Sequence, residues 1–553
     1  MIVRKLLSTY IIYIVALTLF LASLYYNLSG DYFLRDYIFR RPLPSLSSTK
    51  TPLNFNNQSL LATSSPPLLP PPAISPVSIL FPEWQVLVVL SPENKYTHYK
   101  SIFCIFPTNE KSPAHFSGSL PFPNRTLLTC EMPPRVRRRA PFPEPTLVNS
   151  SVIRFPSRET PAADLFRWDY IVYDVLFTPN DVVVFVKGVN KRQGVNKAPQ
   201  EFNCLFGDDV GNATRTSVTN SLQEVFRCQR PDLMAASTLV RVSLEFIAEK
   251  NVMPSIAYGD PVRNLTVTNP KSLLCACTMV YNVAKFLREW VIYHSNIGVD
   301  KFIFYDNGSD DDLHDVAKKL VSEGYNISLN FWLWPKTQEA GFSHCAISNK
   351  EMCTWMMFID VDEFVYARAW SNSTVPSKSM LRSFLQNADP KVGQIMIGCH
   401  EFGPSNQKEN PVLGVMQGYN CRKRIENRHK SIVLLNAVSD SLLNVIHHFD
   451  LKSGFKSRKL NINNVVINHY KYQAWPEFKA KFRRRVSAYV VDWTKAVNPK
   501  SNDRAPGLGF AAVEPIGWPQ KFCEVHDNEL KEMVEKWFGV RTITGYHMVW
   551  ERR

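Results

Sequence analysis

No G-x-G-x-x-G segment follows the first α/β-type strand of this chain, and no G-x-x-x-x-G-K-[ST] occurs anywhere in its 553 residues. A dinucleotide oxidoreductase and a P-loop NTPase thereby lose the glycine-rich turns that bring backbone amides close to phosphates. The G-x-S-x-G nucleophile elbow is also missing, which weakens a serine hydrolase. Basic residues outnumber acidic ones by 64 to 49, for a formal charge of +15. They are scattered, however. The densest runs, Arg135–Arg139 and Arg483–Arg485, belong to no recognisable nucleic-acid module. Such a surplus suits nucleotide diphosphates, acidic glycans or membrane headgroups better.

Charge of either sign is absent from Leu6 to Gly30. That apolar run is long enough to cross a bilayer. Arg4 and Lys5 precede it, which predicts a cytoplasmic tail over residues 1–5 and an uncleaved signal anchor over 6–28. Residues 29–82 are rich in Pro and Ser, with SSPPLLPPPAISP at their centre, and read as an extended stem that forms no packed core. Everything beyond the anchor is then lumenal. Nine Asn-x-Ser/Thr sequons agree with this, at Asn27, Asn57, Asn124, Asn149, Asn212, Asn264, Asn307, Asn326 and Asn372. So do eleven cysteines, most of which should pair in an oxidising compartment. Cys104 with Cys130 and Cys204 with Cys228 are the expected local bridges, and the odd count leaves at least one thiol free.

Helical periodicity is weak over residues 83–268. Short apolar runs such as WQVLVVL and DVVVFVKGV, punctuated by Pro, Gly, Asn and Asp, predict a β-sandwich. No catalytic cluster occurs there, so the domain suits binding. Trp168 is a candidate glycan platform, with core packing as the competing reading.

The texture changes at residue 269. LLCACTMVY reads as a buried strand. AKFLREWVIYHSNIG follows with helical spacing, and Gly298 stands where a C-cap glycine belongs. KFIFYDNGSDDD, HDVAKKLVSEG and NISLNFWLW then supply strand, helix and strand. This alternation predicts an α/β domain with a parallel sheet over residues 269–553. Ligands in such folds bind beyond the carboxyl ends of the strands. That places chemistry at Tyr281–Asn282, Asp306–Asp312, Trp334–Thr337 and Asp360–Glu363.

CTWMMFIDVDEF ends a buried strand on three carboxylates. In an extended chain Asp360 and Asp362 share one side and Val361 takes the other. Two hard oxygen donors suit Mn²⁺ or Mg²⁺, whose shell diphosphate oxygens can complete. An uncompensated carboxylate pair would be costly there, and a cation arriving with a diphosphate removes the cost. Glu363 points away and is expected to bond backbone or a basic side chain.

CTMVYNVAKFLREWVIYHSNIGVDKFIFYDNGSDDD and HCAISNKEMCTWMMFIDVDEF, followed in order by HEFGPSNQ, RKRIENRHKSIV and INHY, resemble glycosyltransferase family 92 over about Ser272 to Asp492. With the anchor, stem and β-rich domain, the chain is most similar to the plant β-1,4-galactan synthases of that family. The resemblance implies a GT-A catalytic domain of Rossmann-like mixed sheet and a carbohydrate-binding module before it. It further implies a Golgi location, a UDP-galactose donor, Mn²⁺, inversion, and a pectic galactan acceptor. A homodimer is plausible for such an enzyme. Alternatives are the same fold with another donor or acceptor, and a non-catalytic glycan-binding protein.

Asp360 and Asp362 match the family's Asp-x-Asp and should hold the metal, with His469 as a late third ligand. Tyr281, Asn282, Asp306 and Asn307 are candidates for the donor pocket, and Lys430 or Arg422 for the diphosphate. Arg424 is a further alternative for the diphosphate, and Lys336 is weaker. Asp306-Asn307-Gly308 also reads as a plain turn. His294 reads as a satisfied helix histidine. An inverting transfer needs a base for the acceptor hydroxyl. Glu401 is the first choice, with Asp450 and Glu426 as rivals. Trp475 and Trp493 are candidates for stacking acceptor sugars.

Overall fold

The computed structural model describes residues 76–92, 102–138, 140–149, 163–191, 195–232, 239–261, 270–483, 506–508, 512–543 and 545–551. The expected tail, anchor and nearly all of the stem lie outside the described residues, as does Trp493. Among the described residues no helix is long and apolar enough to cross a membrane.

The α/β domain is built on one nine-stranded sheet. In chain order its strands are β1 (Ser272–Val280), β2 (Lys301–Asp306), β3 (Ile327–Phe331), β4 (Cys353–Phe358), β5 (Glu363–Ala367), β6 (Val392–Glu401), β7 (His429–Leu434), β8 (Lys456–Lys459) and β9 (Val465–His469). Across the sheet they run β3-β2-β1-β4-β7-β6-β9-β5, with β8 also paired to β6. β3, β2, β1 and β4 are mutually parallel, and β7 runs antiparallel between β4 and β6. The predicted strand–helix alternation is therefore present, inside a mixed rather than purely parallel sheet. Helices α1 (Ala284–Ile297), α2 (Leu313–Ser322), α3 (Gln338–Ser348), α4 (Ser379–Gln386), α5 (Trp475–Arg483) and α6 (Glu529–Phe538) accompany it. Helix α1 ends at Gly298, with φ 131° and its N–H bonded to the His294 carbonyl. A Cβ there would fall 2.5 Å from the Lys378 carbonyl oxygen, so only glycine fits.

The β-rich region is two units with separate cores, where one sandwich was expected. In the first, the sheet around Gln85–Val89 and Arg125–Glu131 faces the three-stranded sheet around Ile102–Ile105. The Cys104–Cys130 disulfide joins the two sheets through their shared core. In the second, Ile171–Phe177, Asp181–Lys187, Val225–Gln229, Thr214–Leu222, Phe202–Phe206 and Val240–Phe246 lie side by side. Backbone bonds from Val172 to Pro254 and Ile256, and from Val242 to Ala257, close this sheet on itself. Cys204–Cys228 spans its interior.

Continuous apolar runs have a common explanation here. Val182, Val184 and Val186 point into the closed sheet, whereas Val183 and Phe185 point outward into a second core. Val86, Val88 and Leu90 face the first unit's interior, while Leu87 and Val89 join that same second core. On β1, Leu274, Ala276 and Val280 face helix α1, and Cys275, Cys277 and Met279 face the β units. One interdomain core thus unites all three parts, and strands buried on both faces lose the alternation of a half-exposed strand. Two further disulfides, Cys275–Cys353 and Cys277–Cys345, staple β1 to β4 and α3 on that face. Cys421–Cys523 is the fifth bridge, and buried Cys399 is the free thiol. Lys187 crosses the junction: its ammonium donates to Glu224 (2.6 Å) and to the carbonyls of Pro335 (2.9 Å) and Lys336 (3.1 Å).

Phe185 lies 5.9 Å from Trp332 and 5.3 Å from His344, ring centre to ring centre. Phe185→Ala should cost about 3–5 kcal/mol, as for a core phenylalanine, and lower the midpoint of a single denaturant transition monitored by tryptophan fluorescence. Two resolved transitions, with only one of them shifted, would show that the β units and the α/β domain fold independently.

Candidate active site

The carboxylate cluster occupies the turn between β4 and β5. The Asp360 N–H donates to Glu363 Oε2 at 2.9 Å, and the Glu363 N–H returns a bond to the Asp360 carbonyl at 3.1 Å. Val361 turns into the core, and Asp360 and Asp362 line one cleft together. The β5–β9 ladder sets Glu363 opposite His469, and the Tyr470 N–H bonds the Asp362 carbonyl. His469 Nε2 consequently lies 3.5 Å from Asp362 Oδ2, and its Nδ1 lies 3.4 Å from Glu363 Oε1.

The cluster does not wait for its counter-charge, as the sequence suggested it would. Lys430, on β7 beside the end of β4, holds Asp360 Oδ2 at 3.1 Å and Glu363 Oε1 at 2.7 Å. Lys481, on α5, contacts Asp362 Oδ2. Burial opposes ionisation of Asp362, yet Lys481 and His469 more than offset it and hold the carboxyl well below its usual range. Burial likewise disfavours the Lys430 ammonium, but Asp360 and Glu363 outweigh it and raise its pKa. Burial, with Lys430 adding to it, keeps His447 neutral far below its ordinary value. His447 Nε2 can then accept from the Lys430 ammonium, 2.6 Å away.

The cleft encloses about 890 Å³ of space, part of it open to solvent. One wall comes from the end of β1 and the start of α1: Tyr281, Asn282, Lys285 and Phe286. The aspartates form its floor, and Gln473, Glu477 and Lys481 form the wall opposite. Asn282 adopts φ 51°; its Oδ1 accepts from the Asp310 N–H at 2.8 Å, and its Nδ2 donates to Asp310 Oδ1. Glu477 is ion-paired with Lys285 across the cleft.

Several expected site residues lie elsewhere. Asp306 closes its own turn: Oδ1 accepts from the Ser309 N–H (2.9 Å) and hydroxyl (2.7 Å), and Oδ2 meets His314 at 3.0 Å. Asn307 is buried and donates to the Trp332 carbonyl at 2.7 Å. Both serve the plain turn, and the cleft is lined without them. Lys430 is committed to the cluster beneath the cleft and does not line it. Arg422 is bound to Asp527 at 2.6 Å, and Arg424 donates to the Glu524 carbonyl. Asp450 is exposed on a loop, and Glu426 pairs with Lys459. Glu401 is wholly buried and held by Lys471 (2.6 Å), Lys423 (3.0 Å) and the Tyr472 hydroxyl (3.3 Å). Burial alone would raise its pKa, but Lys471, with His469 and Lys423, brings it down to about 2. A carboxylate so acidic is a poor proton acceptor. Trp475 packs on Trp518 and Phe478, and Trp168 lies at the domain junction beneath Lys187 and Lys336. His294 bonds the Trp290 carbonyl from inside the core.

Lys481, Glu477 and Lys285 escaped the sequence reading. Their signal is faint: in WPEFKAKF, shortly after His469, Glu477 and Lys481 are spaced i, i+4 and share one helix face.

The donor set fits a hard divalent cation at Asp362 and His469. One carboxylate and one imidazole stand within a single ion's reach of each other, and the Asp360 carboxylate is on the same floor. Cys421, Cys523 and His526 also cluster, but the two cysteines form a disulfide and offer no thiolate.

The family model for glycosyltransferase family 92 matches residues 271–503. A family 92 protein of Arabidopsis thaliana is 43% identical over 402 residues, covering 70% of this chain and 69% of that protein. One of Ricinus communis is 36% identical over 531 residues, covering 92% of this chain and 89% of that protein. By these relatives the chain is one of a class of sugar-transferring enzymes, and it belongs to glycosyltransferase family 92. Among solved structures, a mannosyltransferase of Pyrobaculum calidifontis in complex with GDP-Man and Mn²⁺ overlaps 40% of this chain and 64% of that one. It is 10% identical with a TM-score of 0.23, too distant to carry an argument.

The Glu401 pairing has a pH signature. A carboxyl with a folded-state pKa of about 2 binds fewer protons folded than unfolded, where its pKa is about 4.3. Its contribution to stability is complete above roughly pH 5 and is lost as pH falls toward 2. Denaturation midpoints measured from pH 6 to 3 should fall less steeply in Glu401→Gln than in the wild type. That variant should also be less stable at pH 7, because Lys471 loses its charged partner.

Proposed function

We propose that this protein is a metal-dependent inverting glycosyltransferase that transfers galactose from UDP-galactose to β-1,4-galactan chains of pectin, as a GT-A enzyme anchored in the Golgi membrane. The observation that carries the transferase reading is the Asp362–His469 pair, 3.5 Å apart, beside Asp360 on the floor of a cleft at the carboxyl ends of β1 and β4. Family membership supports it. The donor and acceptor rest on the resemblance to galactan synthases, as do the Golgi location, the carbohydrate-binding role of the β units and the homodimer.

Asp360, Asp362 and His469 would hold Mn²⁺ or Mg²⁺, which supplies Lewis-acid stabilisation to the departing diphosphate. Tyr281, Asn282 and Phe286 line the wall available to the nucleotide. Lys430 keeps the floor rigid by bracing Asp360 against Glu363. The base role assigned to Glu401 passes to Glu477, a carboxylate on the cleft wall across from β1. Lys285 pairs with it, and a sugar hydroxyl displacing that lysine could deliver its proton to Glu477.

Asp362→Ala should abolish galactan extension from UDP-galactose and Mn²⁺. Glu477→Gln should lower turnover by about 10²–10⁴-fold, the usual worth of a general base, while UDP binding by calorimetry is retained. Unchanged turnover in Glu477→Gln removes it as the base. A donor screen of the full-length chain against defined galacto-oligosaccharides decides the sugar: transfer from another UDP-sugar and none from UDP-galactose overturns the galactosyl reading while leaving the transferase intact.

A further inference from the structure

Two lysines neutralise the carboxylate floor, and they are built differently. Lys430 is almost fully buried and bound on three sides, by Asp360, Glu363 and His447. Releasing it would strand two buried carboxylates. Lys481 reaches the floor from the last turn of α5, and its side chain faces the open cleft. Among the described residues its polar partner is the Asp362 carboxylate. The contact is to Oδ2, the same oxygen that faces His469 Nε2. The ammonium therefore occupies the place a cation shared by Asp362 and His469 would need.

We propose that Lys481 is an exchangeable counter-ion, which holds Asp362 before a nucleotide donor binds and moves to the donor's diphosphate when a divalent cation takes its place. This rests on the metal-dependent reading above. A divalent cation arriving alone must evict an ammonium and then stand beside it, so its net gain is small. A cation arriving with a nucleoside diphosphate brings the negative oxygens that Lys481 requires. Its four-carbon stem and freely turning donors suit such a move better than a rigid guanidinium would. Glu477, one turn earlier on the same face, is engaged by Lys285 and leaves Lys481 uncontested. The consequence is that cation and diphosphate each strengthen the other's binding, by one reciprocal factor.

The test measures Mn²⁺ binding by electron paramagnetic resonance, with and without UDP, on the full-length chain. In the wild type, UDP should tighten Mn²⁺ binding by at least about tenfold, within the usual range for coupled sites. Lys481→Met should bind Mn²⁺ alone about tenfold more tightly than the wild type, with a weaker response to UDP, because the competing ammonium is gone. Lys481→Arg, which keeps the charge, should restore much of the response. If Asp362→Asn abolishes Mn²⁺ binding but Lys481→Met binds it no more tightly than the wild type, the exchange is overturned and the metal site stands. If neither the wild type nor Lys481→Met binds Mn²⁺ even with UDP, the metal-dependent reading fails and the exchange falls with it.

Discussion

The constraint on which the molecule depends is burial of its central sheet on both faces. One face of β1 packs on helix α1, with Trp290 and Tyr293 fully buried. The other packs on the two β units through Trp332, Trp334, Tyr173 and Phe185. Each large side chain in such a core contributes about 1.5–3 kcal/mol by leaving water. A catalytic-type domain without its β units would expose that second face, far beyond the patch a soluble monomer tolerates. The β units are thus part of the sheet's support, whatever they bind. Two disulfides on the same face fix β1 to β4 and α3, and the cleft begins where β1 and β4 end.

Rigidity at that point matters because the floor is crowded with charge. Three carboxylates within four residues would repel one another in a low-dielectric setting. The protein divides them. Glu363 turns inward, ties off the turn through the Asp360 N–H, and takes a buried lysine. Asp360 shares that lysine. Asp362 alone is held by a group that lines the cleft, Lys481, with His469 reaching it from β9. A graded arrangement results, from permanent neutralisation beneath to replaceable neutralisation at the surface.

Much of this was legible in the sequence, and particular residues show why. Strand–helix alternation from residue 269 fixed the α/β class, and the buried run before Asp360 located the turn. Cys104–Cys130 and Cys204–Cys228 were readable because local pairings are few. The two β units were not separable, because WQVLVVL and DVVVFV are apolar on both faces and their periodicity carries no inside or outside. Closure of the second unit depends on hydrogen bonds between Val172 and residues some 80 positions later, which no local pattern announces. Lys481 escaped for the opposite reason. A lysine on an amphipathic helix usually solvates a face, and only the fold aims this one at Asp362.

Glu401 shows where residue-type reasoning fails. A glutamate at the end of a sheet strand, near the aspartates, has the chemistry of a base and the right topological position. What disqualifies it is its partners. Lys471 and Tyr472 stand two and three residues after His469, so the chain that delivers the metal-ligand candidate to Asp362 also delivers the groups that bind Glu401. Its ion pairs fasten the end of β6 to β9 and keep His469 in register with Glu363 and Glu401. The carboxylate nearest in sequence logic to catalysis therefore acts one layer behind it. The acid that faces the cleft, Glu477, arrives two helical positions after Trp475, on the helix that also carries Lys481. Helix α5 thus joins a candidate base and an exchangeable cation in one rigid element.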